Sequence, residues 1–483
     1  MLSRYHSKFP IFISSIVKSF SSHMNTYPTA LTYTYPFRQT QLNNKIRICT
    51  EKINSPLISL GIFINSGSRY ESESASGSAH FLEHILFKGT KHQAKKEFEL
   101  EVEQMGSSLN AYTSREHTLF SMECFPKNLK RCLKILSDMM QFPLISKKAV
   151  EEEKETIKAE LVNCYSDPSE LIMEMGHRTV FGHNTAMGRP ILGEISNINK
   201  VSQSMVRQFH QRQYQGKNMV VTACGDVSHS DIVSYVKEFF TNMKSKETTD
   251  KNTFSTITPK FIHNNITYIY NDNVPTPGIG VFYPAPGWYD KDYYVLLLIE
   301  RILGQYTNID STVTGGYNQS RLVEIPLTQY PNILKYKTFF NPYKDCGLFG
   351  IMCLSHESIL NGTQILSRFF PYQYSKYISD IEIERAKNKV YMELLSIQSP
   401  TEIMNLIGPQ VLYFNRRVTR LEIAKRVSMI SNEQVRTAFK KYFVNGRPSL
   451  VVYGNKNKIS DIATSYMSSA NKMLLQNINY IKH

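Results

Sequence analysis

Residues 57–89 read LISLGIFINSGSRYESESASGSAHFLEHILFKG, and this stretch decides the fold of the first half of the chain. The run Leu57–Asn65 is almost wholly apolar, which is typical of a buried strand. A Gly/Ser-rich turn follows, and apolar residues at helical spacing then predict a helix over Ser78–Phe87, with Gly89 as its terminator. A strand and a helix joined in this way indicate a sheet that is covered by helices.

The predicted helix carries two histidines and a glutamate on one face. His80 and His84 are four residues apart and Glu83 follows His80 by three, so both imidazoles can reach one ion beside a carboxylate. HxxEH is the inverted motif of zinc peptidases, in which a glutamate takes a proton from water. The alternative is a pair of surface histidines beside a solvated glutamate.

A third metal ligand has to come from elsewhere in the chain, and the acid-rich helix predicted over Lys147–Val162 is the best source. Glu153 and Glu160 are seven residues apart and therefore share one face of this helix. One of them could ligate the metal while the other supports the site. The other acids of this helix are interpreted as a solvated face, because lysines stand at pairing distance from them.

Two distant stretches, 206–232 and 435–462, align at an offset of about 229 residues. Each predicts a helix, a tight turn, a buried strand, a glycine turn and a second helix. The second half also opens like the first, with a strand over Gly278–Tyr283 and a helix over Tyr293–Leu303. Because strands and helices do not alternate in a regular βαβ rhythm, the predicted fold class is α+β, with two homologous domains that each combine a sheet with helices.

These patterns divide the chain into four segments. Residues 1–27 are interpreted as a leader, 28–243 as a catalytic zinc-binding domain, 244–259 as a polar linker, and 260–483 as a homologous domain without the metal motif.

The first 50 residues contain six Lys and Arg but no Asp or Glu, which is typical of an organellar transit peptide. The alternatives are a disordered tail and a secretory signal, although Pro10 interrupts the apolar region.

The composition of the 483 residues excludes several classes of protein. With 41% hydrophobic and 20% charged residues, the chain resembles globular rather than disordered proteins. No run approaches the ~18 apolar residues that a membrane-spanning helix requires. The seven cysteines are scattered without a CxxC pair, so neither a disulfide framework nor a thiolate metal site is expected. No recognition motif accompanies the net charge of +15, so no nucleic-acid partner is expected.

A resemblance to a known family extends over about 400 residues. The motifs that carry it are GSRYE at 67–71, AHFLEHILFKGT at 79–90, NAYTSRE at 110–116, NTAMGRPILG at 184–193 and YKDCGLFG at 343–350. They are similar to the pitrilysin-type zinc metallopeptidases and, within that family, to the processing peptidases. The resemblance implies a zinc endopeptidase that removes basic N-terminal targeting presequences from imported precursor proteins.

The resemblance also implies roles for the residues of the metal site. His80, His84 and Glu160 would ligate one Zn²⁺ ion per chain, and Glu160 follows His84 by 76 residues, as in the family. Glu83 would be the general base, and Glu153 a second acid that supports the site.

Further residues match substrate-binding positions of the family. Asn110-Ala111-Tyr112 matches a strand edge that binds the substrate backbone, with turn chemistry as the alternative for Asn110. Glu170 and Glu174 match acids that hold an arginine near the cleavage point, although Glu174 replaces Asp and Glu170 also fits a capping box that begins at Asp167. Phe87 matches a residue of the pocket for the side chain after the scissile bond, with core packing as the alternative.

Partners and location follow from the same resemblance. Processing peptidases are heterodimers whose alpha subunit carries a glycine-rich loop, and this chain has only Gly315-Gly316 in the comparable region, so an alpha partner would supply that loop. The expected location is the mitochondrial matrix or a mitochondrion-derived organelle. Two alternatives remain: a core structural subunit of respiratory complex III, which shares the fold, and a single-chain relative that degrades presequences or other peptides.

Overall fold

Two mixed β-sheets, one in each half of the chain, organise the molecule. The structure is a computed structural model that describes residues 27–243, 245, 259–271, 273, 276–307, 333–356, 378–455 and 477–482. The first sheet consists of β1 (Phe37–Gln41), β2 (Arg47–Lys52), β3 (Ile58–Ile64), β4 (Ser108–Thr113), β5 (Thr118–Cys124) and β6 (Met219–Gly225). Their order is β1-β2-β6-β3-β5-β4, and β2 and β6 are the parallel neighbours. Strand β4 therefore lies at one edge.

The second sheet repeats the centre of the first. It consists of β7 (Asn265–Tyr270), β8 (Gly278–Ala285), β9 (Gln305–Thr307), β10 (Ile333–Pro342), β11 (Gly347–Ser355), β12 (Ser449–Gly454) and β13 (Asn477–Lys482). Their order is β13-β7-β12-β8-β11-β10-β9. In the row β7-β12-β8-β11-β10, the first pair of adjacent strands is parallel and the next three pairs are antiparallel. The row β2-β6-β3-β5-β4 of the first sheet has the same order of pairings. The prediction of two related α+β halves is confirmed.

Helices of each half cover one face of the sheet in that half. The first half contributes α1 (Ser78–Leu86), α2 (Lys95–Gln104), α3 (Leu129–Gln141), α4 (Lys147–Ser166), α5 (Pro168–Phe181), α6 (Ile195–Ile198), α7 (Gln203–Gln213) and α8 (His229–Phe239). The second half contributes α9 (Tyr293–Leu303), α10 (Asp380–Ser396), α11 (Pro400–Phe414), α12 (Arg420–Ser428) and α13 (Asn432–Phe439). Apolar side chains of α1, α3, α4, α7 and α8 form the first core, and those of α9, α10, α12 and α13 form the second.

The opposite face of each sheet is covered by a helix from the other half. Helix α5 packs against the second sheet, and α11 packs against the first. Both contacts depend on a glycine: a Cβ on Gly176 of α5 would lie 2.2 Å from the ring of Phe282, and one on Gly408 of α11 would lie 2.1 Å from the ring of Phe63. The two halves thus exchange helices reciprocally, and glycine permits the close approach at both places.

Buried ion pairs also join the two halves. Arg69 of the first half donates to Glu116 and to Asp345 of the second half, each at 2.6 Å, and the Arg69 side chain is almost wholly buried. Arg417 of the second half pairs with the buried Glu51 of β2 at 2.9 Å. Removing one partner of such a pair leaves a buried charge unpaired, which typically costs about 3–5 kcal/mol.

The local predictions agree with the structure to within a few residues. The strand predicted over Leu57–Asn65 is Ile58–Ile64, and the helix predicted over Tyr293–Leu303 has those bounds. The helix predicted over Lys147–Val162 continues to Ser166, because no helix breaker occurs before Pro168.

Three sequence predictions fall wholly or almost wholly outside the described residues. They are the leader over 1–27, the linker over 244–259 and the assignment that rests on Gly315-Gly316.

The cysteines are free, as predicted. In the part of the chain that the structure describes, no helix has both the length and the apolar character to cross a bilayer.

Candidate metal centre and active site

Helix α1 is anchored at its N-terminus by a buried carboxylate. Gly77 precedes the helix with φ +94°, a left-handed conformation that favours glycine. The carboxylate of the buried Glu71 accepts hydrogen bonds from the N–H groups of Gly77 and Ala79 at 2.8 and 2.7 Å. Burial raises the pKa of Glu71 to about 8, although these two bonds oppose the shift. Because the apolar face of α1 lies in the first core, the opposite face is held in a fixed position.

His80, His84 and Glu160 bring three potential ligand atoms together. The Nε2 atoms of the two rings are 3.2 Å apart, and carboxylate oxygens of Glu160 lie 3.4 Å from Nε2 of His80 and 3.1 Å from Nε2 of His84. A tetrahedral zinc site with bonds of about 2.0–2.1 Å separates its ligand atoms by about 3.3 Å. The three residues therefore fit a zinc ion. Among the described residues they form the one cluster with metal-binding spacing.

Glu153 lies behind His84 rather than in the ligand cluster. Its Oε1 is 2.8 Å from Nδ1 of His84, and its other oxygen pairs with Lys88. Burial opposes ionisation of Glu153, but the hydrogen bonds from His84 and Lys88 outweigh it and lower the pKa of this carboxyl. A carboxylate on Nδ1 fixes the tautomer that leaves Nε2 available to a metal. The two acids that the sequence left interchangeable thus occupy different positions.

The carboxylates of Glu153 and Glu160 favour a positive charge, either a proton or a cation, at the His80 and His84 rings. Burial alone would lower the pKa of His84, but Glu153 and Glu160 outweigh burial and raise that pKa to about 9. Hydrogen bonds from His80 and His84 in turn lower the pKa of Glu160 well below its usual range. The cluster therefore binds a proton when it holds no metal, and a divalent cation competes for the same nitrogen.

Glu83 lies on the same face of α1 and is held by the edge strand β4. The hydroxyl of Thr113, the last residue of β4, donates a hydrogen bond to Oε2 of Glu83. On strand β4 the side chains alternate, so that Ala111 and Thr113 face the helices while Asn110 and Tyr112 are exposed. Thr113 was not among the predicted site residues, although the period of two along a strand places it on the same face as Ala111.

The predicted backbone-binding segment is at an edge of the first sheet. Strand β4 pairs with β5 on one side and is the terminal strand in the sheet order. Extended peptides add to such edges through backbone N–H and C=O groups. The side chain of Asn110 accepts a hydrogen bond from the N–H of Ala111 at 2.8 Å, but Asn110 lies within the extended strand β4, so this contact does not form a turn.

The two acids predicted to hold an arginine differ in environment. Glu170 is exposed near the N-terminus of α5, whereas Glu174, one turn later, is largely buried and paired with the buried Arg115. The capping box proposed for Glu170 is only half formed, since Asp167 caps Ser169 but no reciprocal bond from Glu170 occurs. Arg115 already pairs with Glu174, so Glu170 is the acid of this pair that is exposed to an incoming arginine.

Phe87 directly follows helix α1. Its ring is 6.1 Å from that of Phe120, and the side chain packs partly against the first core. This position agrees with the alternative of core packing, although the side chain is only partly buried.

Both ring nitrogens of His117 have hydrogen-bond partners. Nε2 lies 2.9 Å from the hydroxyl of Tyr112, and Nδ1 lies 2.8 Å from the hydroxyl of Tyr413 on α11. Burial lowers the pKa of His117 to about 4, so the ring is neutral at physiological pH. Nothing local to His117 in the sequence indicates that this ring connects β4 with a helix of the second half.

Comparison with known proteins places the chain in a family. The model of insulinase, peptidase family M16, matches residues 47–194, and that of the peptidase M16 inactive domain matches residues 200–390. The chain belongs to peptidase family M16. The family consists of metallopeptidases, so the resemblance predicted from the motifs is confirmed.

Several similar M16 members have the same name, mitochondrial-processing peptidase subunit beta. The Bos taurus protein is 32% identical over 429 residues, covering 88% of this chain and 85% of the relative. The Homo sapiens protein is 31% identical over 428 residues, with 88% and 86% covered. The Saccharomyces cerevisiae protein is 30% identical over 442 residues, with 88% and 93% covered.

Solved structures with lower identity share the M16 fold. A protease from Helicobacter pylori superposes with a TM-score of 0.77 at 19% identity, covering 87% of this chain and 99% of that chain. A chain of complex III2 from Candida albicans superposes with a TM-score of 0.73 at 17% identity, with 89% and 98% covered. At these identities the likeness concerns the fold alone.

Proposed function

We propose that the chain is a zinc endopeptidase, the catalytic beta subunit of a mitochondrial processing peptidase, which removes basic N-terminal presequences from imported precursors. The observation that carries the proposal is the separation of 3.1–3.4 Å among the ligand atoms of His80, His84 and Glu160, with Glu83 on the same helix face. The names of the M16 relatives support the same function.

The residues of the site divide the chemistry among them. When bound, one zinc ion supplies Lewis acidity to a water molecule and to the scissile carbonyl. Glu153 orients His84 through Nδ1, so that Nε2 faces the cluster. Glu83, oriented by Thr113, accepts the proton of the attacking water and passes it to the leaving amine.

Substrate recognition is proposed to begin at β4. The edge segment Asn110-Ala111-Tyr112 would bind the peptide backbone, and Phe87 would line the pocket after the scissile bond. The exposed carboxylate of Glu170 would meet an arginine of the presequence, whereas Glu174 would bind that arginine only by exchanging it for Arg115. The net charge of +15 does not oppose a basic substrate, since binding depends on the local field of such acids.

The proposal includes a partner and a location. We infer an alpha subunit as the heterodimer partner and the mitochondrial matrix, or a mitochondrion-derived organelle, as the location, with residues 1–27 as the transit peptide. These inferences rest on the names of the relatives and on the acid-free amino terminus.

A second candidate function is a core structural subunit of respiratory complex III. The likeness to a chain of complex III2 from Candida albicans favours it, whereas the complete ligand cluster favours a peptidase. Co-purification with respiratory subunits in mild detergent would support the structural role. A third candidate function is that of a single-chain, peptide-degrading enzyme, which would be active without any partner.

The experiment that tests the proposal compares Glu83→Gln with the wild-type chain. Each is mixed with a basic presequence peptide, with and without an alpha subunit, and both zinc content and cleavage are measured. We expect Glu83→Gln to retain zinc and to lose turnover by about 10²–10⁴-fold, the usual contribution of a general base. The matched control is Glu155→Gln on the exposed side of α4, which should cleave like the wild type. Normal turnover in Glu83→Gln would refute the proposal.

A further inference from the structure

A cavity of about 1010 Å³ lies in the second half, among α9, α10, α11 and α12. Aromatic side chains supply much of its lining: Trp288, Tyr289, Tyr293, Tyr294, Tyr413 and Phe414. This volume is at the upper end of the range for small-ligand pockets, which are mostly apolar and aromatic. The proposed chemistry uses none of these residues.

The aromatic wall is formed before any ligand arrives. Trp288 is in ring contact with Tyr293, Phe414 and Tyr413, at centroid separations of 5.2, 6.2 and 6.4 Å. Rings that pack against one another lose little further freedom when a ligand binds, so a preformed wall favours binding. The cavity is therefore ready to accept a side chain.

The charged groups of the lining are mostly paired. Arg416 and Arg426 both donate to Glu422, and Glu393 pairs with Arg301 at 2.9 Å. The aliphatic members of the lining include Leu297, Val390, Leu394 and Leu406. With these three charges paired, the cavity offers a mainly apolar and aromatic surface, and Asp290 and Lys291 are its other charged members.

A row of rings connects the cavity with the edge strand β4. The centroids of Tyr112 and His117 are 5.6 Å apart, those of His117 and Tyr413 are 5.9 Å apart, and Trp288 follows at 6.4 Å. Hydrogen bonds join Tyr112, His117 and Tyr413 in the same order. An extended peptide advances about 3.3 Å per residue, so a peptide on β4 would reach the cavity within about six residues of Tyr112.

The cavity also occupies the place in the second half that the metal cluster occupies in the first. Helix α9 comes after β8 in the second half, in the position that α1 has after β3 in the first half. Helices α10 and α11 come after β11, in the positions that α4 and α5 have after β5. The metal cluster lies between α1 and α4, and the cavity is lined by α9, α10 and α11. The two sites are thus equivalent places on a repeated scaffold.

We propose that this cavity is a second substrate subsite, which takes an apolar and preferably aromatic side chain of the peptide that is bound on β4. The inference rests on the proposed function, because it assumes that β4 binds a peptide. It assigns the second half a role in selecting substrates, several residues away from the scissile bond.

The first test is a kinetic double-mutant cycle in the complete peptidase, with its alpha subunit. A basic presequence peptide carries one phenylalanine, which is moved along the sequence and replaced by alanine at each position. At one position we expect phenylalanine to alanine to lower kcat/KM by about tenfold in the wild type, in line with the burial of an aromatic side chain. In Leu406→Gln, which makes the cavity wall polar, the same change should have less than a twofold effect.

The control variant is Leu144→Gln, because Leu144 is an exposed leucine of the first half. It should respond to the loss of phenylalanine as the wild type does. An equal response in Leu406→Gln and Leu144→Gln would overturn the proposal.

A second measurement uses the single tryptophan of the chain, Trp288. In the Glu83→Gln complex, the peptide binds without being cleaved, and the emission is compared with that of a complex that also carries Trp288→Phe. The difference isolates Trp288, and we expect it to change in a saturable way with the phenylalanine peptide and weakly with the alanine peptide. If the wild type cleaves the peptide while Trp288 never responds, the subsite is refuted but the peptidase stands. If the wild type cleaves no presequence peptide, the proposed function itself fails.

Discussion

In the first half of the chain, the helix after the central strand β3 carries His80, Glu83 and His84. In the second half, the helix after β8 begins with Tyr293-Tyr294, and aliphatic residues follow at 295–299. The strand order around both helices is the same, and a glycine of an exchanged helix approaches a phenylalanine of each sheet. The difference between the halves therefore lies in a few side chains and not in the scaffold. A repeated fold can hold a metal in one copy and an aromatic cavity in the other.

The largest expected effect comes from removing the metal-ligand cluster, which among the described residues occurs in the first half. We expect His84→Ala to abolish zinc binding and peptide cleavage, because two ligand atoms remain and Glu153 loses its partner. Metal analysis of the purified chain and a cleavage assay measure both losses. The control is His92→Ala, an exposed histidine outside the cluster, which should keep zinc and activity. A full zinc content in His84→Ala would contradict the assigned ligand set.

The next effect tests the feature that both halves share. We expect Gly176→Val and Gly408→Val each to reduce the free energy of unfolding by about 1–3 kcal/mol or more, because the added carbons overlap Phe282 and Phe63. Denaturant unfolding measures the loss, and Met392→Val at an exposed position of α10 should stay within about 0.5 kcal/mol of the wild type. A loss in only one of the two glycine variants would break the equivalence of the exchanged helices.

A smaller effect is expected at the contact between β4 and the general base. Thr113→Val keeps the shape of the side chain but removes the hydroxyl that donates to Glu83. We expect kcat to fall by about tenfold, with zinc content unchanged, since one hydrogen bond to a charged group is lost. Thr113→Ser should restore most of the rate. Equal rates in the valine and serine variants would show that the hydroxyl does not position Glu83.

The last prediction concerns the pH dependence of stability at the junction of the halves, where the effect at neutral pH is negligible. Burial lowers the pKa of His117 from 6.5 to about 4, so the unfolded chain binds a proton in this interval that the folded chain does not. The free energy of unfolding should therefore decrease as the pH falls through the interval, by up to about 1.4 kcal/mol per pH unit from this residue. His177, whose pKa is also lowered by burial, contributes with the same sign.

Unfolding curves across this interval check the prediction. The decrease should be less steep in His117→Gln than in the wild type, and unchanged in His92→Gln, which alters an exposed ring. A steeper decrease in His117→Gln would mean that the ring is charged in the folded chain.

The sequence predicts those parts of the site that depend on spacing within one element. His80, Glu83 and His84 lie on one helix face because of helical periodicity, and Glu153 and Glu160 share a face for the same reason. The sequence could not assign different places to the two acids, because that depends on how α4 crosses α1. The resemblance to the family implies that Glu160 is the ligand, and in the structure Glu160 lies at Nε2 of His84 while Glu153 lies at Nδ1.

Contacts between distant elements were beyond the sequence analysis. The pair of Arg115 and Glu174 joins a turn after β4 to α5, and nothing local to either residue indicates the other. The exchange of α5 and α11 was also missed, since each helix has an apolar face that could cover either sheet. The repeat predicted two halves, but a repeat carries no information on which helix covers which sheet.

Because of the exchange of helices, one face of the first sheet cannot be covered until the second half of the chain has emerged. Helix α11, which spans Pro400–Phe414, covers the outer face of the first sheet, where Phe63 and Val220 lie. A ribosome, or a channel that delivers the chain from its amino terminus, releases that sheet long before it releases α11. An apolar surface is then exposed to water, and it attracts chaperones or other chains until the carboxyl-terminal part arrives.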